Sequence, residues 1–75
     1  MVLDKIKEIF EKLVGIDKSK ITEDSDIIKD IGADSLDIVE FLMDAENEWG
    51  ITIEEDDVKN LHTIGDVVKY IESRI

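Results

Sequence analysis

The chain predicts an all-α fold: a small four-helix bundle with three main helices, a short third helix and a long first loop. Residues 1–75 form a single domain in this reading. Three observations carry the prediction. Apolar residues recur at three- and four-residue spacing over about residues 2–14, 35–49 and 64–75. There is no proline, and the four glycines are well separated. Seventy-five residues leave room for one small core and no second domain.

The first helix carries Val2, Leu3, Ile6, Ile9, Phe10, Leu13 and Val14 on one face, opposite Asp4, Lys5, Lys7, Glu8, Glu11 and Lys12. Gly15 is placed to stop it, because a glycine adopts the left-handed C-terminal conformation without a Cβ clash. Residues 16–33 then mix turn and cap formers (Asp17, Ser19, Thr22, Asp24, Ser25, Asp26) with Ile16, Ile21, Ile27, Ile28 and Ile31. A structureless loop of that length is unusual in a small domain. An ordered loop is expected, holding at most one helical turn, with its isoleucines buried and Gly32 bending the chain before Asp34.

The second helix, from about Ser35 to Trp49, has more apolar residues than one face requires. Placed at about 100° per residue, Ile38, Phe41, Leu42, Ala45 and Trp49 form one stripe, assigned to the core. Leu36, Val39 and Met43 form a second stripe well away from it. Two apolar stripes can mean a helix buried on two sides; in a protein this small, the second reads instead as an exposed apolar docking strip rimmed by acids. Gly50 ends the helix. Ile51-Thr52-Ile53 follows as an extended connector, and Glu54 to Asn60 as a short helix whose early acids suit the helix dipole. Val58 and Leu61 are expected to face the core. Thr63 and Asp66 pair as a capping box for the last helix, with Ile64, Val67, Val68, Ile71 and Ile75 on its apolar face.

The formal net charge is -11. Such a surface repels nucleic-acid phosphates and anionic lipid, and favours basic protein partners. The charge is unevenly spread. From Asp34 to Asp57 there are ten acids and no lysine or arginine, whereas the preceding region mixes both signs. With no cysteine, the chain has no disulfide, thiolate metal site or cysteine nucleophile, and a cytoplasmic setting is expected. No signal-peptide pattern or membrane-spanning run is present.

Catalysis finds no machinery. Ser35 has no base nearby in sequence, and the lone His62 sits before a helix cap without an oxyanion motif. Asp17-Lys18-Ser19-Lys20-Ile21-Thr22 begins like a calcium loop but lacks the glycine at Thr22 and the twelfth-position acid, where Ile28 stands. No metal site is expected. Ser35 can serve as a helix N-cap. Asp34 can cap equally well, leaving the hydroxyl free at a helix end that favours a phosphate diester.

Gly32-Ala33-Asp34-Ser35-Leu36-Asp37-Ile38-Val39-Glu40 resembles the attachment motif of acyl carrier proteins, the discrete carriers of type II fatty-acid synthesis. The resemblance extends to the chain's length, helix order, long first loop, acidic second helix and closing Tyr70-Ile71. It implies that Ser35, flanked by Asp34 and Leu36, is esterified by 4'-phosphopantetheine, drawn from coenzyme A by a separate transferase. The arm's thiol then holds acyl chains as thioesters, and the core shelters the growing chain. A serine that is another enzyme's substrate needs no base of its own, and the arm supplies the missing thiol. Leu36, Asp37, Val39, Glu40, Met43 and Glu46, with Asp34, would be read by basic patches on the transferase and the synthesis enzymes. The implied protein is a monomeric, non-catalytic carrier. The chain departs from many relatives at Glu54 (a proline there), Trp49 (a phenylalanine) and Asp44 (a small apolar residue), which bears on pocket shape. Two alternatives remain open: a specialised carrier for polyketide, lipid A or D-alanyl transfer, and an acidic helical interaction module without a prosthetic group.

Overall fold

The computed structural model describes residues 2–75. Its elements are α1 (Val2–Val14), a 3-10 turn (Lys18–Lys20), α2 (Ser35–Trp49), α3 (Glu55–Val58) and α4 (Ile64–Glu72). Met1 lies outside the described residues. Among these there is no β-strand, only an isolated antiparallel bridge between Asp26 and Thr63. The all-α bundle expected from periodicity is the fold observed.

α1 is the central strut and packs against both α2 and α4. Ile6 and Phe10 are fully buried on its inner face, and the Phe10 ring stacks on Phe41 of α2 at 4.5 Å between centroids. Ile64, Val67, Val68 and Ile71 of α4 close the core from the other side. Gly15, Gly32 and Gly50 take positive φ, the region where L side chains are strained, and Gly15 and Gly50 end α1 and α2.

The first loop is pinned by backbone bonds as well as by its isoleucines. Ile27 N–H donates to the His62 carbonyl (3.0 Å), and Ile64 N–H to the Ser25 carbonyl (3.0 Å). Gly65 N–H donates to the Glu23 carbonyl at 2.8 Å. A Cβ at Gly65 would stand 3.1 Å from that same oxygen, so this glycine permits a close crossing of loop over helix. Ser25 is buried and accepts Thr22 N–H on its hydroxyl at 2.9 Å.

Three sequence expectations need correction. Ile28 is 64% exposed rather than buried, although Ile21, Ile27 and Ile31 are buried as expected. The cause is local: the Asp26 carboxylate accepts Ile28 N–H (2.9 Å) and Lys29 N–H (2.8 Å), forming a tight turn with Ile28 at its outer edge. Ile75 is also exposed, because α4 ends at Glu72. The third helix is a single turn, Glu55–Val58, rather than the whole of 54–60. Trp49 packs against the core half-buried, as Ile38 and Leu42 of the same stripe do.

Candidate functional site

The site begins with a helix cap. Asp34 has extended backbone and is the N-cap of α2. Its carboxylate accepts Asp37 N–H at 3.0 Å, and the Asp37 carboxylate accepts Asp34 N–H at 3.1 Å. This reciprocal box satisfies two of the N–H groups that every helix start leaves without an intrahelical partner. The capping role open to either Asp34 or Ser35 therefore falls to Asp34. Ser35 is the first helical residue; it is exposed, and its hydroxyl makes no hydrogen bond among the described residues.

That arrangement fits an attached phosphate diester. The amides of Ser35 and Leu36 have no intrahelical acceptor by the same geometry, and the helix N-terminus is the positive end of the dipole. No side chain among the described residues hydrogen-bonds the Ser35 hydroxyl, and the backbone N–H of His62 donates to the Asp66 carboxylate (3.0 Å). Among the described residues no group of His, Cys, Asp or Glu could hold a metal ion.

From Ser35, the exposed stripe runs along α2. Leu36 is 75% exposed, Val39 53% and Met43 58%, three of the five exposed large apolar residues described. Glu40 is exposed beside them. Two other acids expected on this surface serve the fold as well. Asp37 closes the capping box, and Glu46 accepts Ile53 N–H at 2.8 Å, holding the connector after α2. The opposite stripe of α2 faces inward, with Phe41 and Ala45 buried and Ile38, Leu42 and Trp49 packed against the core.

An apolar cavity of ≈ 450 Å³ opens beside this inner stripe. Ile38, Phe41 and Leu42 form its α2 side, Ile27 and Ile28 its loop side, and Val58 and Leu61 the wall at α3. Ile38 is one turn along α2 from Ser35, so helix start and cavity share one element. Neither Trp49 nor Asp44, two of the departures noted in the sequence, lines this cavity.

One polar cluster was not legible in the sequence. The Tyr70 hydroxyl donates to the Asp57 carboxylate at 2.8 Å, and the Arg74 guanidinium donates to the same oxygen at 3.2 Å. Arg74 also lies over the Tyr70 ring, 4.6 Å from its centroid. Burial and then the Asp57 hydrogen bond push the Tyr70 hydroxyl above its ordinary pKa, while the Glu54 backbone N–H acts in the opposite sense. The acids in the short helix hinted at a dipole role, but nothing in the spacing singled out Asp57 as a partner thirteen residues from Tyr70.

Comparison with known proteins places this geometry. The family described as "Phosphopantetheine attachment site" matches residues 4–71. An acyl carrier protein of Thermotoga maritima is 40% identical over 74 residues, 99% of this chain and 91% of that protein. A solved structure from Mycobacterium tuberculosis, assigned to acyl carrier proteins, superposes with a TM-score of 0.92 at 25% identity, covering 100% of both chains.

Proposed function

The chain belongs to the acyl carrier proteins of the phosphopantetheine attachment family, and from that premise we propose that it carries fatty-acyl chains for type II fatty-acid synthesis on an arm attached at Ser35. The observation that carries the proposal is the division of labour at the start of α2. Asp34 and Asp37 cap the helix, so Ser35 is exposed and free of structural duty. A serine held that way is accessible to a transferase, and its phosphate would meet the Ser35 and Leu36 amides.

Ser35 acts as another enzyme's substrate rather than as a catalytic nucleophile of this chain, and the protein as a carrier rather than an enzyme. Its hydroxyl has no base to activate it, and the chain has no cysteine with which to form a thioester. When bound, the arm supplies the thiol. The cavity between loop, α2 and α3 takes the tail of the acyl chain, burying apolar carbon against Ile27, Phe41 and Leu42 at about 0.8 kcal/mol per methylene.

Docking uses the other face of α2. Leu36, Val39 and Met43 form its apolar strip, with Glu40 and the acids of the α2 start around it. Asp37 and Glu46 contribute charge to this face but also hold the fold, so their substitution mixes both effects. Partners bearing basic patches would associate fast and in a salt-sensitive way.

Loading separates the pathway readings. The holo protein is offered malonyl groups by a fatty-acid malonyl transferase and, separately, precursors of polyketide and D-alanyl carriers. Efficient malonyl uptake supports fatty-acid synthesis. Refusal of malonyl with uptake of another precursor assigns a specialised carrier instead.

A further inference from the structure

We infer that the Asp57–Tyr70–Arg74 cluster, rather than burial, fixes the α3 wall of the apolar cavity and so limits the length of chain the cavity holds. The inference rests on the proposed use of that cavity for acyl chains and assigns its capacity to residues outside its lining.

α3 is a single turn of four residues with no buried side chain. Its N-cap, Glu54, makes no side-chain cap bond, in contrast to the carboxylate or hydroxyl caps of α2 and α4. While α1 packs against α2 and α4, α3 shares no comparable helix–helix interface. Such a segment lies at the low end of local stability. Yet Val58, within it, and Leu61, just beyond it, form one wall of the ≈ 450 Å³ cavity.

Two polar tethers hold this wall. At its approach, Ile53 N–H donates to the Glu46 carboxylate at 2.8 Å. Within the turn, Asp57 receives both the Tyr70 hydroxyl (2.8 Å) and the Arg74 guanidinium (3.2 Å). Tyr70 is half-buried on α4, whose Val67, Val68 and Ile71 are buried in the core. The firm helix thus anchors the weak one through one carboxylate. The charge-assisted bond from the Tyr70 hydroxyl is the stronger of the two, since the Arg74–Asp57 pair is more than a third exposed; apolar contact flanks α3 through Ile53 and Leu61, but α3 itself buries no side chain. Release of the cluster would let α3 swing outward and deepen the cavity while leaving the α1–α2–α4 core in place.

Two substitutions test this without touching the sequence of α3: Tyr70→Phe, which removes only the hydroxyl, and Arg74→Ala. Ser73→Ala is the control. It deletes a bond from the Ser73 hydroxyl to the Tyr70 carbonyl at the same helix end, with no link to α3. The first readout is amide hydrogen exchange of Asn60 and Leu61, whose N–H groups donate to the Asp57 and Val58 carbonyls. Tyr70→Phe should speed it about tenfold or more, with α1 and α2 amides and the Ser73→Ala protein unchanged. Equal acceleration throughout the protein, no acceleration, or no protection of these amides in the wild type would each overturn the inference.

The second readout is the melting temperature of the holo protein loaded with saturated acyl chains of rising length. The wild type should stop gaining stability at a shorter chain than Tyr70→Phe does. An unchanged saturation length, despite faster exchange at α3, would overturn the capacity claim. If no chain length stabilises either protein, it is the acyl-cavity reading that fails, and the exchange result still reports on the tether.

Discussion

α2 and α4 start with the same device and end up in opposite environments. Each has a capping box: Asp34 with Asp37, and Thr63 with Asp66. At α4 the first loop folds over the cap. Ser25 and Glu23 accept the N–H groups of Ile64 and Gly65, and Ile64, the first helical residue, is completely buried. At α2 nothing covers the cap, and the first helical residue is the exposed Ser35. A cap alone therefore does not make a site. The α4 start shows what a helix N-terminus becomes when its amides are consumed by the fold. The α2 start shows one whose structural needs are met by its own two aspartates, leaving a hydroxyl and two amides for chemistry.

The comparison can be stressed from each side. Ile64→Ala should have the largest effect on stability, about 2–5 kcal/mol, since it deletes a fully buried side chain in a packed core. Leu36→Ala, near the equivalent place on α2, should lie within about 0.5 kcal/mol of wild type. Denaturant unfolding of the two variants measures this contrast, and a comparable loss in both would mean that the α2 stripe is structural. Thr63→Ala and Asp34→Ala should each lose about 1 kcal/mol, the usual worth of an N-cap. Only Thr63→Ala should also loosen the loop, seen as faster exchange of Ile27 N–H, because that N–H donates to the His62 carbonyl, next to the α4 cap.

Acid should act on the α4 start and the loop above it. Asp66 at the α4 start and Asp26 in the overlying loop both have carboxyls held below the ordinary 3.8. The main cause is a backbone N–H donor, from Thr63 and Lys29 respectively. Asp17 is lowered likewise by Ser19 N–H. A depressed carboxyl stabilises the fold fully above its unfolded pKa, about 4, and that stability is lost as pH falls through the lower folded value. Above this range, protonating some of the twenty acids, or adding divalent cations, relieves self-repulsion. The melting temperature should therefore rise slightly from pH 7 to about 5 and fall below about 4. A monotonic fall from pH 7 would show that repulsion is not the governing charge effect at neutral pH.

The smallest expected change in stability belongs to Glu40→Lys, within about 0.5 kcal/mol, because this side chain is exposed and unpaired among the described residues. Its effect should appear in function: slower turnover by basic partner enzymes and a weaker salt dependence of that rate. A large drop in melting temperature would instead place Glu40 in the fold.

Periodicity located three of the four helices, because each must turn an apolar stripe toward the same core. The α4 capping box was readable from Thr63 and Asp66, since a cap is local in sequence. The two stripes of α2 separated inward-facing from exposed residues correctly, with Phe41 and Ala45 buried and Leu36, Val39 and Met43 exposed. What escaped was set by tertiary geometry. Ile28 looks like its neighbours Ile27 and Ile31, and only the Asp26 turn puts it outside. The close crossing at Gly65 and the Asp57–Tyr70–Arg74 cluster join residues far apart in sequence, so neither leaves a periodic or local signature. The role proposed for the Ser35 hydroxyl came from its motif, not from any catalytic spacing.

The most direct measurement is the intact mass of the protein after incubation with coenzyme A and a phosphopantetheinyl transferase, run on wild type, Ser35→Ala and Ser73→Ala. The wild type and Ser73→Ala should each gain one phosphopantetheine, and Ser35→Ala none, while all three melt at closely similar temperatures. An unmodified wild type with a transferase shown to be competent, or a modified Ser35→Ala protein, would contradict the assignment of the open start of α2 as the tether point.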